Sequence, residues 1–154
     1  MMANISKDVT ILLVEDDPGH ARLVEKNLLR ANFANPIIKL TDGRQAMEYL
    51  FREGSYSGEP MPGNLLVLLD LNLPVMDGYQ VLRRMKENPS TQRIPIIILT
   101  TTDDTREIDR CYDLGCNVYI TKPVDYNSFS EAIRKLGLFL SVVAVPKERK
   151  DDYE

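Results

Sequence analysis

The chain has little of what several common functions require. Its 154 residues include no tryptophan, one histidine and two cysteines, and no apolar run approaches the length of a membrane span. The opening Met1-Met2-Ala3-Asn4-Ile5-Ser6-Lys7-Asp8 lacks the apolar stretch of a signal peptide. Cys111 and Cys116 stand five apart in a helical pattern and match no metal or redox spacing. Buried or half-buried free thiols in a reducing cytoplasm are therefore expected. Positive charge is not in excess: 19 Lys and Arg against 23 Asp and Glu give a net charge of −4. That balance argues against a footprint for nucleic acid or for an anionic membrane. Neither an internal repeat nor a linker to a second domain is evident. The chain suits one domain, which at this size buries about 70% of its unfolded surface.

What the chain does have is alternation. Five apolar, β-rich runs at residues 9–14, 36–40, 65–69, 95–99 and 118–121 alternate with helical patterns at 18–31, 43–52, 78–87, 105–114 and 126–140. Ala21, Val24, Leu28 and Ala31 share one face of the first helix, as do Phe129, Ala132, Ile133, Leu136 and Leu140 on the last. Pro18 fits a first helical position, Asp42 with Gln45 resembles a capping box, and Gly115 suits a C-terminal stop. Such alternation predicts an α/β fold with right-handed crossovers: a (βα)5 flavodoxin-like, doubly wound parallel sheet in strand order 2-1-3-4-5. The connection at 54–64 is long and reads as a surface loop, with partner contact as the alternative. The domain is predicted to span residues 1–146, followed by a polar, disordered tail at 147–154.

Asp70 breaks the pattern. It ends Leu65-Leu66-Val67-Leu68-Leu69, a run apolar on both faces and so a central strand, at the end where open α/β sheets place their chemistry. Strand one ends in Glu15-Asp16-Asp17. Capping of the first helix accounts for Asp17 but not for Glu15 and Asp16. Clustered carboxylates repel unless a cation neutralises them, and oxygen ligation without His or Cys suits Mg²⁺. Strand four ends in Thr100, and strand five in Thr121-Lys122-Pro123. Alone, Thr100 reads as a backbone-bonding hydroxyl and Lys122 as a solvated cation, but the predicted strand order aims both at the acids. A carboxylate can act as a nucleophile towards phosphorus, with Mg²⁺, Lys122 and Thr100 meeting the transferring oxygens. No base stands at a strand end to activate water. His20, in the first turn of helix one, is expected to be exposed. The site reads as one that receives and holds a phosphoryl group.

These residues at these spacings resemble the receiver domain of two-component response regulators. The resemblance runs from Thr10-Ile11-Leu12-Leu13-Val14-Glu15-Asp16-Asp17 through Asp70, Pro74-Val75-Met76-Asp77-Gly78, Thr100 and Lys122-Pro123. It implies that Asp70 is the phosphoacceptor, that Glu15, Asp16 and Asp70 hold Mg²⁺, and that the backbone carbonyl of Asn72 is a further ligand. It also implies that Thr100 and Tyr119 form the switch, that Lys122 contacts the phosphoryl group, and that the Lys122–Pro123 bond is cis. An aromatic in an edge strand can also simply pack, which is the other reading of Tyr119. Leu71-Asn72-Leu73-Pro74, the long 54–64 connection, Asn117-Val118-Tyr119 and an apolar extension past helix five resemble the stand-alone regulators of phytochrome kinases. That group commonly carries Phe-Trp in the extension, where this chain has Leu138-Phe139-Leu140.

The resemblance implies a single-domain response regulator, not a turnover enzyme, that takes its phosphoryl group from a partner histidine kinase and signals to a downstream protein target. The apolar stretch at 138–145 reads either as packing on its own domain or as a homodimer contact, and the dimer is the favoured reading. Three other functions compete. An aspartate-nucleophile phosphatase usually carries a second acid two residues after the nucleophile, where this chain has Asn72. A receiver-like binding scaffold without phosphorylation would not need the intact set of Glu15, Asp16, Asp70, Thr100 and Lys122. A flavin-binding flavodoxin would want a phosphate-cradling loop where this chain offers three acids.

Overall fold

The computed structural model describes residues 9–123 and 125–140. The strands are β1 (Thr10–Val14), β2 (Ile37–Leu40), β3 (Leu65–Leu69), β4 (Ile96–Thr100) and β5 (Val118–Thr121). The helices are α1 (Pro18–Arg30), α2 (Gly43–Leu50), α3 (Gly78–Glu87), α4 (Thr105–Leu114) and α5 (Tyr126–Leu140). All strand pairs are parallel, in the order β2-β1-β3-β4-β5. This is the predicted flavodoxin-like arrangement.

Strand alternation sorts the core into two layers. Leu12, Val14, Leu65, Val67, Leu69, Ile96 and Ile98 face α2, α3 and α4, where Ala46, Met47, Val81, Leu82, Met85 and Cys111 complete the layer. Ile11, Leu13, Leu66, Leu68, Ile97 and Leu99 face α1 and α5, against Ala21, Val24, Leu28, Phe129, Ile133 and Leu136. Both faces of β1, β3 and β4 are thus covered, which is why these strands read as unbroken apolar runs. Cys111 and Cys116 are buried free thiols, and burial pushes the Cys111 thiol up to about 12, so it stays protonated and inert. Among the described residues no helix is long and apolar enough to cross a membrane.

The caps follow the sequence. Asp17 accepts from the amides of Gly19 and His20, and Asp42 accepts from that of Gln45. The Gln45 side chain reaches back to the Thr41 amide (3.0 Å), one residue earlier than a capping box requires. Gly115, at φ 110°, ends α4 with amide bonds from Gly115 to Tyr112 O (3.0 Å) and from Cys116 to Cys111 O (3.0 Å).

Some expectations are corrected. The helix predicted over 43–52 ends at Leu50, because Arg52 adopts φ 54° and stacks its guanidinium 4.4 Å above the Tyr49 ring. Its Nη2 also donates to the Met61 sulfur (2.9 Å), folding the 54–64 connection onto α2 around a short 3₁₀ turn at Gly54–Tyr56. Strand four continues through Thr100. No cis peptide bond occurs among the described residues, so the Lys122–Pro123 bond expected to be cis is trans. The two isomers of an X-Pro bond differ by only about 0.5–1 kcal/mol, so local context decides between them. The N-terminal eight residues, the apolar stretch from 141 onward and the tail at 147–154 lie outside the described residues.

Two glycines set the loop that follows β3. A Cβ on Gly78 would meet Asp70 O at 2.3 Å and Leu71 Cα at 2.7 Å, and one on Gly43 would meet Met76 O at 1.9 Å. Between them Val75 takes φ 70° while the Met76 amide donates to Pro74 O (2.8 Å), a γ-turn that a β-branched residue rarely adopts. Gly78→Ala is expected to lower unfolding free energy in urea by about 1–3 kcal/mol, since backbone rather than a flexible side chain must move. Gly63→Ala, with nothing within 4 Å, serves as the control and should stay within about 0.5 kcal/mol. Equal stability of the two variants would refute the close-approach account.

Candidate functional site

Parallel register brings the acids together. Val14 pairs with Leu69, and the Asp70 amide donates to Val14 O (3.1 Å), so the residues that follow the two strands stand level. Glu15 and Asp70 are buried at 4% and 7% exposure, whereas Asp16 is exposed. One oxygen from each of Glu15, Asp16 and Asp70 lies within 4.8 Å of the others. Asp17 turns away to cap α1, and the His20 amide holds its carboxyl below the usual carboxylate range. The division made from sequence, with Asp17 capping and the other two facing the crevice, holds.

Lys122 enters from β5, beyond which its amide donates to Thr100 O (2.6 Å). Its ammonium donates to Glu15 Oε1 and to Asp70 Oδ2, the latter at 3.2 Å. All three side chains are buried, so the contacts act at low dielectric and without competing water. Burial nevertheless pushes the Glu15 carboxyl up to about 7; Lys122 works against that rise and Asp70 adds to it. Lys122, a solvated cation if read alone, is one of the most enclosed charges in the chain.

On the other side of Asp70, the Asn72 amide donates to Asp70 Oδ1 (3.1 Å), and Asn72 Nδ2 lies 3.5 Å from Thr100 Oγ1. Thr100 is fully buried at the end of β4. Tyr119 lies on the neighbouring strand. Its half-buried ring packs against the α2–α4 layer, and its hydroxyl donates to Thr102 O (2.6 Å). Burial raises that phenol to about 12, which keeps it a donor.

His20 departs from expectation. It is half-exposed rather than free in solvent, with Nδ1 3.3 Å from Lys122 Nζ and its ring edge-on to Phe129 at 5.4 Å. Sequence reasoning missed it because its partner is 102 residues away. The available signal was its place in the first turn of the helix that leaves the Glu15-Asp16 strand end.

The donor set fits a hard divalent cation. Three carboxylates and one ammonium leave an excess of negative charge, all ligand atoms are oxygens, and exposed Asp16 leaves a route from solvent.

Comparisons with known proteins agree with this geometry. Residues 11–134 match the family described as the response regulator receiver domain. The chain is 38% identical over 137 residues to the response regulator Rcp1 of Synechocystis, covering 88% of this chain and 92% of that one. The Mn²⁺-bound crystal structure of Rcp1 superposes with TM-score 0.82 at 37% identity, over 89% of this chain and 98% of that one. A receiver domain from Rhodospirillum rubrum gives TM-score 0.83 at 60% identity, over 90% and 97% of the two chains. The phosphorylated cyanobacterial phytochrome response regulator RcpA gives 0.81 at 36% identity, over 90% and 98%. With the matched pattern spanning both layers of the core and every strand end at the crevice, this chain belongs to the response regulator receiver domain family.

Proposed function

We propose that the protein is a single-domain response regulator, located in the cytoplasm, whose Asp70 accepts a phosphoryl group from a histidine kinase. The observation that carries this reading is the enclosed Lys122 ammonium bridging Asp70 and Glu15, with Asp16 beside them. An Asp70 oxygen would attack phosphorus in a phosphohistidine, the P–N bond would break, and the donor imidazole would leave with the electron pair and take up a proton. Lys122 would pair with a phosphoryl oxygen, and the Thr100 hydroxyl would donate to another. Mg²⁺, held by Glu15, Asp16, Asp70 and the Asn72 carbonyl, supplies charge neutralisation when bound. With Asn72 two positions past Asp70, no acid stands there to activate water, which supports retention of the phosphoryl group over turnover. The new charge would be read through Thr100 and Tyr119 by the face of α4, β5 and α5.

The match spans 92% of Rcp1, a response regulator, which supports the single-domain reading of this receiver. RcpA is a cyanobacterial phytochrome response regulator, and the likeness to it supports a phytochrome-type kinase as the donor. Signalling would then pass to a downstream protein target, with the extension at 138–145 as the proposed homodimer contact.

Incubation with acetyl phosphate and Mg²⁺ should add one phosphate-sized mass to the wild type and none to Asp70→Asn, by intact-mass measurement. Labelling of both, or of neither, would refute the assignment. Steady turnover of p-nitrophenyl phosphate would instead favour the phosphatase.

A pH dependence follows from Glu15. Its folded value of about 7 exceeds its ordinary 4.5, so the metal-free fold holds this proton across that window. Its contribution therefore makes the metal-free protein less stable as pH rises from 4.5 to about 7. Metal binding needs the carboxylate, so Mg²⁺ affinity measured by calorimetry should fall with acidification below about 7, by up to about tenfold per pH unit for one displaced proton. Glu15→Gln should flatten that slope. A pH-independent affinity in the wild type would remove Glu15 from the ligand set.

A further inference from the structure

We propose that His20 is a positioning residue for Lys122: its imidazole Nδ1 accepts the third ammonium N–H and keeps the lysine aimed at Asp70. The role rests on the phosphoacceptor reading above and extends it to a residue outside the acid, hydroxyl and ammonium set.

An ammonium has three donors and no acceptor capacity. Around Lys122 Nζ stand Glu15 Oε1, Asp70 Oδ2 at 3.2 Å and His20 Nδ1 at 3.3 Å. The lysine side chain is 2% exposed, so solvent does not substitute for a missing acceptor. The imidazole is itself held from two directions. The His20 backbone amide donates to Asp17 Oδ1 (3.1 Å), fixing the residue that carries the ring, and the ring meets buried Phe129 of α5 edge-on at 5.4 Å and 90°. Other charged groups facing the ring are Asp17 Oδ2 at 3.7 Å and Glu15 Oε1 at 4.0 Å, both farther than the ammonium. With Nδ1 accepting, the ring proton sits on Nε2.

The contact matters most once the site is loaded. Phosphoryl transfer uses an Asp70 oxygen and metal ligation uses Glu15, so both carboxylates that now hold Lys122 are taken by other partners. His20 Nδ1 is the one of its three acceptors that neither event consumes. It would fix the ammonium where the incoming phosphoryl oxygen arrives, without touching the reacting atoms.

Two substitutions separate the acceptor from the ring. His20→Phe keeps an aromatic against Phe129 and removes the acceptor. His20→Asn removes the ring and places an amide oxygen near the Nδ1 position. In the step monitored, an Asp70 oxygen attacks the phosphorus of acetyl phosphate, the bridging P–O bond breaks, and acetate leaves with the electron pair. With Mg²⁺ present, intact-mass time courses should show His20→Phe about three- to tenfold slower than wild type, and His20→Asn within about twofold of it. Equal rates for His20→Phe and wild type, or equal slowing of both variants, would overturn the role.

A second readout is independent of phosphorylation. The chain has one histidine, so the ¹⁵N spectrum of the neutral ring is unambiguous and should report the proton on Nε2. A proton on Nδ1 would overturn this inference even if Asp70 is phosphorylated. An unlabelled wild type with the Nε2–H ring would sink the phosphoacceptor reading and leave the lysine contact standing.

Discussion

The interaction on which the structure depends is a single ammonium enclosed between two carboxylates. Lys122, Glu15 and Asp70 are each shielded from water, and each would be costly to bury alone. Their mutual contacts offset that cost only while all are present, so the pocket acts as a unit rather than as a sum of pairs. The triad also spans the sheet. Its members follow β1, β3 and β5, with Thr100 ending the strand between the last two. A parallel sheet in this order is one of few architectures that can bring those chain positions to a single crevice, because all its strands end on the same side. The charge left over, three acids against one base, is what makes a divalent cation the fitting partner.

The same pocket constrains the backbone beneath it. The loop leaving Asp70 must reverse and start α3 within a few residues, and it does so by close approach. Gly78 sits against the carbonyl of Asp70 itself, Gly43 against that of Met76, and Val75 holds a backbone conformation disfavoured for its side chain. Val75 is 77% exposed, so no burial of its own compensates that strain. Packing elsewhere holds it: Leu71 and Leu73 on one side of the turn, and Gly78 with Val81 on the other, are all buried. Core density and pocket geometry are therefore linked, since a looser junction between β3 and α3 would release the carboxylate as well as the helix.

Much of this was legible in the sequence because parallel strands covered on both faces leave a plain trace. The runs ending at Val14 and Leu69 are apolar without alternation, and an acid at such an end has few bland explanations. Edge strands β2 and β5, only half-buried, carry a weaker signal, yet the flanking helical patterns located them. The sequence reading starts strands one and two one residue early and sets strand four one residue early at both ends, while the first helix overruns by one residue and the second by two. That second error has a tertiary cause, because Arg52 leaves the helix to stack on Tyr49, a contact that periodicity does not encode. The isomer at Pro123 rests on an energy difference too small for a dipeptide to declare. His20 was missed for a related reason: a lone histidine acquires meaning from Lys122 and Phe129, which lie far along the chain.

Thr100 at the end of β4, and Thr102 and Asp104 in the short loop that follows it, are each tied to a different element. The Thr100 hydroxyl lies near Asn72, the Thr102 carbonyl accepts from Tyr119, and the Asp104 side chain accepts from the Arg106 amide to start α4. On the far side of α4, Glu107 meets the Tyr79 hydroxyl and Arg110 stacks 4.1 Å above the Tyr79 ring, joining the helix to α3. A phosphoryl group on Asp70 that drew Thr100 towards it would therefore load the Tyr119–Thr102 bond and the cap of α4 together. With α4 also fastened to α3, the loop has little slack in which to absorb that displacement. Two discrete arrangements of the α4 face, rather than a graded one, are what such a chain of short contacts favours.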